Sequence, residues 1–220
     1  MKKSGTTLGY QFNNPHLLRM ALTHRSHSMP HNERLEFLGD SLLNCVISAR
    51  LYNTYPDLSE GELSRLRAHF VQEQALCKIA GELNLSPLLM LGEGEVKSGG
   101  AQRASILADT VEALVGAVYL DGGFDKTQAW VNDLFDKSFA NIDPLEISKD
   151  PKTLLQEYVQ SKKIDLPIYT ITTTHGQAHQ QIFVVECKIA ALGIQVEGEG
   201  SSRRNAEQAA AKKAYQLIRK

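Results

Sequence analysis

The chain has 220 residues, of which 42% are hydrophobic and 22% are charged, as in an ordinary globular protein. No apolar run approaches the ~20 residues that a membrane-spanning helix needs, and the first residues lack the apolar core of a secretion signal. These features argue against a membrane protein, and we expect no membrane partner.

Charge is divided unevenly along the chain, although the net value is only −1. Residues 1–150 carry 14 basic and 19 acidic side chains, a net charge of −5, whereas residues 151–220 carry 10 and 6, a net charge of +4. This division favours metal chemistry in the acidic part and phosphate binding in the basic part.

Three widely spaced cysteines, Cys45, Cys77 and Cys187, show neither zinc-ligand spacing nor the density of a disulfide framework. Two of them fall in apolar helical patterns, and all three are predicted to be buried free thiols. Free thiols favour a reducing compartment, so the predicted localisation is cytoplasmic.

Capping signals mark the first predicted helices. Asn14 before Pro15 predicts a helix start, and the polar segment 23–27 is interpreted as a loop rather than as a chemically active segment. Asn32 is predicted to cap a longer helix that runs to about Asn53.

That longer helix carries three acids on one stripe, because Glu33, Glu36 and Asp40 stand at i, i+3 and i+7. The residues between them are mostly apolar, so the acids project from a helix suited to burial. Neighbouring carboxylates repel one another, and burial raises the cost of keeping each ionised. The stripe therefore needs basic partners or a divalent cation. Arg34 lies on another face, so we favour a cation.

A second apolar helical pattern, residues 105–117, carries Asp109 and Glu112 at i, i+3. Such a pair on its own is usually a solvated or salt-bridged surface feature. Two pairs on two apolar helices favour instead one oxygen-rich site, the ligand set that Mg²⁺ prefers. Gly116 and Ala117 would allow a neighbouring helix to approach closely.

Between these helices the sequence predicts one further helix and a glycine-rich loop. A capping box at Ser59 opens the helix, whose buried side continues to Leu83. Glu60 in its first turn is either an acid favoured by the helix dipole or a site residue. Residues 91–100 lack the Walker spacing and are predicted to form a flexible loop, in which neutralising Glu95 should have little effect.

The rest of the chain changes from helices to a mixed pattern. A turn at residues 121–123 precedes a closing helix to about Asn141, and residues 142–150 form the predicted linker. Beyond it the pattern predicts a helix, three strands and an alanine-rich helix, at 152–160, 169–174, 181–188, 194–199 and 205–218, and the first strand is dense in β-branched residues.

These motifs resemble those of a known family. Residues 32–41 are similar to the signature of bacterial ribonuclease III, the endonuclease that cuts double-stranded RNA, and residues 97–100 and 106–114 resemble that family's second and third blocks. The resemblance extends from about Tyr10 to the C-terminus. The α-β-β-β-α part, in which residues 198–204 enter the last helix, resembles a double-stranded RNA-binding domain.

The resemblance implies an all-α endonuclease domain over residues 1–145, followed by a small α+β double-stranded RNA-binding domain over residues 150–220. It implies Mg²⁺-dependent phosphodiester hydrolysis, with Mn²⁺ able to substitute, that leaves 5′-phosphate and 3′-hydroxyl ends on ribosomal RNA precursors and other structured RNAs. Family members act as homodimers with one site for each strand. Phe37, which faces away from the acids, is either a dimer contact or a core residue.

The metal ligands implied by the resemblance are Glu36, Asp40, Asp109 and Glu112, and Asp40 and Glu112 are expected to lie nearest the chemistry. Glu33 and Glu60 are possible auxiliary residues.

For RNA binding, the resemblance implies that Arg203 and Arg204 meet phosphates at the N-terminus of the last helix. Gln156 and His179 are implied to meet the minor grooves, although His179 is equally compatible with an ordinary loop histidine. The sequence departs from the family at Glu207, where a third basic residue often stands. Phosphate anchoring is therefore expected to depend more on the two arginines.

Two other function classes share parts of this pattern. A non-catalytic RNA-binding regulator would keep the second domain and lose one or more of the four acids, yet all four are present. A metal-dependent nucleotide hydrolase built from helices would use paired carboxylates but would have no need of a double-stranded RNA-binding domain.

Overall fold

The computed structural model describes residues 8–144, 150–176 and 181–218. The chain divides into two compact units, Met1–Ile142 and Asp143–Lys220. The first is built of helices and the second is α+β, as predicted. Residues 145–149 lie outside the described part, so the exact domain limits stay a prediction. Within the described ranges, no helix is both long and apolar enough to cross a membrane.

The first unit is organised around two long helices, α2 and α6. Its described helices are α1 (Pro15–Ala21), α2 (Glu33–Thr54), α3 (Glu60–Val71), α4 (Glu73–Glu82), α5 (Glu93–Lys97) and α6 (Ala104–Ala140). Helix α6 is interrupted at Gly123, where a φ of 79° requires a conformation that glycine adopts readily. This interruption is the turn predicted at residues 121–123.

Helices α2 and α6 pack backbone against backbone. A Cβ atom on Gly39 would fall on the carbonyl oxygen of Glu112, and one on Gly116 would fall on the carbonyl oxygen of Leu35. The close approach predicted at Gly116 is therefore confirmed, and Gly39 is its counterpart on α2. This contact fixes how the acidic faces of the two helices meet.

Local capping signals were reliable at two of three helix starts. The side chain of Asn14 accepts a hydrogen bond from the amide of His16 at 3.1 Å, and Ser59 forms a capping box with Glu62. Asn32 stands at the predicted N-cap position of α2, but it has helical dihedral angles and its side chain makes no capping bond. Its side chain is buried instead.

Two connections differ from the prediction. The helix expected to continue to Leu83 is two helices, because the chain is extended at Gln72, with φ −66° and ψ 153°. The expected flexible loop at 91–100 contains α5 and the start of a 3₁₀ turn. Its glycines permit close packing: a Cβ atom on Gly92 would fall on the carbonyl oxygen of Ser26.

The three cysteines are free, but only Cys187 is buried. Cys77 is half-buried and Cys45 is exposed, so the prediction of buried thiols is wrong for these two. Helix α2 buries Val46 and Ile47, and this orientation leaves Cys45 on its outer side.

The second unit has the predicted α-β-β-β-α order. Its elements are α7 (Pro151–Ser161), β1 (Ile168–His175), β2 (Ile182–Ile189), β3 (Ile194–Gly200) and α8 (Arg203–Ile218), and the strands form an antiparallel sheet in the order β1-β2-β3. Helices α7 and α8 contribute Leu155 and Ala211 to a core shared with Cys187 and Ile189 of β2.

Small residues bring α8 unusually close to β3. A Cβ atom on Gly198 would fall on the backbone of Ala206 and Ala210. The alanine-rich composition of α8 therefore serves close packing, and it holds the N-terminus of α8 in a fixed position against the sheet.

Candidate active site

Three carboxylates meet where α2 and α6 cross. Glu36, Asp109 and Glu112 each offer an oxygen, and these oxygens all lie within 4.8 Å of one another. All three residues are half-buried. Because Gly39 lies directly against the backbone of Glu112, the acidic stripe of α2 faces the acid pair of α6 at short range. The structure thus brings together three of the four predicted metal ligands.

Asp40, the fourth predicted ligand, lies one turn beyond Glu36 and is exposed. Its carboxylate is not in the group of three; Asp40 Oδ1 accepts a hydrogen bond of 2.8 Å from Asn44 Nδ2. The charge of Asp40 nevertheless reaches the cluster, since it contributes to the raised pKa of both Glu36 and Glu112.

Burial is the main reason that the pKa of each clustered acid is raised. Desolvation, with the charges of Asp40, Asp109 and Glu36, raises the pKa of Glu112 to about 7. Desolvation and then the charge of Asp109 raise the pKa of Glu36, and desolvation and then the charge of Glu73 raise that of Asp109. In the absence of a cation, Glu112 therefore holds a proton up to a pH close to neutral, and the other two acids are protonated more readily than ordinary carboxylates.

A cavity of about 530 Å³ opens beside the cluster, and Glu36 and Asp109 form part of its wall. His24 and Arg25, from the segment interpreted as an inactive loop, also line it. The charges of both residues lower the pKa of Asp109 and so oppose the rise that burial causes. No periodicity marks this segment, and its only sequence signal is a run of polar residues before the signature helix.

The two auxiliary candidates lie in different places. Glu33 lines the cavity but is paired, with Oε1 at 3.3 Å from Arg25 Nη1 and Oε2 at 3.9 Å from His31 Nδ1. Glu60 is exposed in the first turn of α3 and accepts a hydrogen bond from Ser64 Oγ at 2.8 Å. The structure therefore brings Glu33 beside the site and does not bring Glu60 into the group of three. Arg34 lies on another face of the helix, and Arg25 is instead the arginine that pairs with the acidic stripe.

Glu95 is part of the same cavity wall. Its side chain is only 18% exposed, and Oε1 lies 2.8 Å from Nη1 of Arg103, the N-cap residue just before α6. The pair joins α5 to the helix that carries Asp109. Glu95 therefore lies beside the site and in an ion pair, whereas the glycine-rich sequence around it had suggested a flexible loop in which its neutralisation has little effect.

The predicted RNA contacts of the second unit are unequal. Gln156 and Arg204 are exposed, whereas Arg203 Nε lies 2.9 Å from Oε1 of Glu207. The other carboxylate oxygen of Glu207 lies 2.6 Å from Lys152 Nζ. The hydrogen bond from Lys152, with that from Arg203, lowers the pKa of Glu207. His179 lies outside the described residues.

Comparison with known proteins agrees with this geometry. Residues 14–138 match the family model described as Ribonuclease-III-like, and residues 151–218 match that of the double-stranded RNA binding motif. The chain belongs to the ribonuclease III family. The predicted resemblance and fold class are thereby confirmed.

Relatives within the ribonuclease III family match along most of their length. Ribonuclease 3 of Ralstonia pickettii is 58% identical over 207 residues, which are 94% of this chain and 81% of the relative. Ribonuclease 3 of Nitrosomonas eutropha is 54% identical over 210 residues, 96% of this chain and 86% of the relative. The nuclease domain of ribonuclease III from Campylobacter jejuni is 40% identical, with a TM-score of 0.61 over 65% of this chain and 100% of that domain.

Ribonuclease III membership and the second domain establish the type of activity. The chain is an endoribonuclease that acts on double-stranded RNA. Neither a purely RNA-binding regulator nor a nucleotide hydrolase accounts for both matched domains.

Proposed function

We propose that this ribonuclease III hydrolyses duplex RNA with Mg²⁺ held by Glu36, Asp109 and Glu112, together with Asp40. The observation that carries the proposal is the convergence of three carboxylate oxygens within 4.8 Å. An all-oxygen donor set suits a hard cation such as Mg²⁺, and Mn²⁺ accepts the same ligands. The residues therefore fit the metal that the family implies.

The electrostatics of the cluster support the same assignment. Acids whose pKa is raised by burial and by one another gain from a divalent cation, which removes the repulsion and displaces their protons. When bound, Mg²⁺ supplies a water of lowered pKa and neutralises charge that develops on the phosphate. Glu112, the acid with a pKa of about 7, and Asp40 are proposed to lie nearest the reacting phosphate.

The proposed active form is a homodimer in which each subunit cuts one strand. Phe37 projects from α2 with 79% of its surface exposed, so it is not a core residue of this unit. Leu120 and Phe124 of α6 are also exposed apolar side chains, at 54% and 39%. A solved structure of the Campylobacter jejuni nuclease domain is described in terms of a region involved in dimer formation, and Phe37 is the proposed contact here.

The second domain is proposed to anchor duplex RNA through Arg204, Arg203 and Gln156, with His179 as the proposed loop contact. Its net charge of +4 offsets the charge of −5 on the nuclease part, which by itself would repel RNA. We further propose products with 5′-phosphate and 3′-hydroxyl ends, and ribosomal RNA precursors as substrates in the cytoplasm. The three free thiols are consistent with that compartment.

A metal-dependence assay with labelled RNA tests this function. The chain should cut duplex RNA with Mg²⁺ or Mn²⁺, leave 5′-phosphates and spare single strands of the same sequence. Ca²⁺ should support little cutting, because it is a larger ion whose coordination geometry is less strict than that of Mg²⁺. Undiminished cutting of the duplex after metal is removed by a chelator would contradict the proposed mechanism.

A further inference from the structure

The carboxylate of Asp40 is held by a residue that no function described above uses. Asn44 Nδ2 donates to Asp40 Oδ1 at 2.8 Å and to the backbone carbonyl of Asp40 at 3.0 Å. Both of these partners are acceptors, so the amide nitrogen and not the amide oxygen must face them. The side chain of Asn44 is thereby fixed in one orientation, and one carboxylate oxygen of Asp40 is fixed with it.

The turn that carries Asn44 is itself tied to the next helix. Ser48 Oγ donates to the backbone carbonyl of Asn44 at 2.6 Å, and Arg67 Nη1 of α3 donates to Ser48 Oγ at 3.1 Å. Arg67 thus connects α3 to the turn of α2 just beyond Asp40. These contacts give Asn44 a stable base from which to hold the carboxylate.

An amide is well suited to hold a metal-binding carboxylate. A lysine or arginine in the same place would neutralise the charge of Asp40 and compete with a cation. The neutral amide donates a hydrogen bond to Oδ1 and leaves the full negative charge on the Asp40 carboxylate. The other carboxylate oxygen, Oδ2, is not engaged by Asn44. Residues that orient metal ligands in this way commonly affect metal affinity strongly.

We infer that Asn44 is a positioning residue that sets the Asp40 carboxylate for the divalent cation. The inference rests on the proposed assignment of Asp40 to the metal site. Asn44 acts through Asp40 and touches neither the RNA nor the reacting atoms. Its removal should therefore weaken metal binding only while Asp40 keeps its carboxylate.

The test measures Mn²⁺ binding to the whole chain without RNA, by titration calorimetry, in four variants. Asn44→Leu keeps the size of the side chain and removes both hydrogen bonds; Asn44→Ala serves the same purpose if the leucine variant does not fold. Asp40→Asn and the double variant complete a cycle. Asn53→Leu is the matched control, because Asn53 makes the equivalent bond to the carbonyl of Ala49, at 2.8 Å, without a carboxylate partner.

Asn44→Leu should weaken Mn²⁺ binding at least about tenfold, the usual effect of removing such a partner, while Asn53→Leu should not weaken it. In the Asp40→Asn background, Asn44→Leu should cause no further loss. Cleavage should require correspondingly more Mg²⁺ and recover at high Mg²⁺.

If a folded Asn44→Leu chain binds Mn²⁺ normally, or if Asn44→Leu causes an equal loss in the Asp40→Asn background, the inference about Asn44 fails. The assignment of Asp40 to the metal is not affected by either result. If Asp40→Asn itself binds Mn²⁺ normally, the assignment of Asp40 to the metal fails, and the inference about Asn44 fails with it.

Discussion

At the scale of single residues, the site depends on two glycines as much as on its acids. Gly39 and Gly116 let the backbones of α2 and α6 touch, and this contact brings Glu36 within reach of Glu112. A side chain at either glycine must push the helices apart, because the atoms it would meet are backbone atoms. The geometry of the acids is thus set by residues that have no chemistry of their own.

Gly39→Ala should reduce both stability and cleavage. The new methyl group would fall on the carbonyl oxygen of Glu112, and overpacking of this kind costs about 1–3 kcal/mol. Thermal unfolding and cleavage rates of the whole chain measure the two effects. Gly81→Ala is the control: it lies in α4 with open space around its Cβ position, and it should be neutral or slightly stabilising. Equal behaviour of the two variants would contradict the close contact.

The raised pKa of Glu112, about 7, makes the metal-free chain respond to pH. Between its ordinary pKa near 4.5 and the folded value, the folded state binds more protons than the unfolded state, so this group lowers stability as pH rises through that range. We expect the melting temperature without metal to fall from pH 5 to pH 8 less steeply in Glu112→Gln than in the unmodified chain. Identical pH profiles for the two chains would contradict the assigned environment of Glu112.

The acidic faces of α2 and α6 could be predicted from the sequence because the spacing of acids on apolar helices is a local pattern, whereas the choice of Glu36, Asp40, Asp109 and Glu112 among them came from the family resemblance. His24, Arg25 and Glu95 could not, since they come from irregular or glycine-rich segments whose positions are decided by packing. Asn44 was also missed, because an asparagine one turn after an acid is common on helices. Only the distances show that its amide holds Asp40.

At the scale of elements, the sequence predicted that α8 is a helix but not how it packs against α7. The alanine-rich pattern predicted the helix, and its actual start at Arg203 lies two residues before the predicted one. The sequence also indicated the unusual acid at Glu207. It could not show that Glu207 pairs with Lys152 of α7, because that contact depends on the way the helices pack.

Glu207→Gln should strengthen the binding of duplex RNA. The change frees Arg203 and Lys152 from their ion pairs with Glu207 and removes one negative charge from the end of α8 that we propose meets phosphates. We expect about a two- to fivefold gain in affinity, roughly the 0.5–1 kcal/mol of one partly exposed ion pair, with a steeper dependence on salt.

Duplex binding measured across a range of salt concentrations tests this prediction. Glu199→Gln is the control, since Glu199 is an exposed acid on β3 and should change affinity less. Weaker binding by Glu207→Gln would instead mean that the carboxylate is needed to hold Arg203 in place for the phosphate.

At the scale of the whole molecule, the proposed function assigns cation chemistry to the first unit and RNA anchoring to the second. The first unit contributes the acidic site and the exposed apolar residues of α2 and α6, and the second contributes the basic surface. This division explains why a nearly neutral chain can act on a polyanion. The fold order and most element limits followed from periodicity and turn residues, whereas the break at Gln72 did not, because apolar spacing continues across it.

Phe37→Ala should shift the chain from dimer to monomer. A phenyl ring that is 79% exposed on one subunit is stabilised when a partner covers it. Light scattering coupled to size exclusion measures the mass, and Tyr52→Ala, with another exposed aromatic of α2, is the control. A native monomer that still cuts both strands at a fixed stagger would refute the dimer.

The central claim is that the carboxylates of α2 and α6 hold the cation that cuts RNA, and Glu112→Gln tests it most directly. The variant keeps the size and hydrogen-bonding capacity of Glu112 and removes one charge. Glu93→Gln is the control, because the Glu93 side chain is 94% exposed.

Single-turnover cleavage of a bound duplex at saturating Mg²⁺ is the measurement. Duplex binding by Glu112→Gln should persist and cleavage should fall by orders of magnitude, since charge stabilisation by a metal is worth several kcal/mol and about 1.4 kcal/mol is tenfold in rate. Cleavage by Glu112→Gln at the rate of the unmodified chain would contradict the four-carboxylate site.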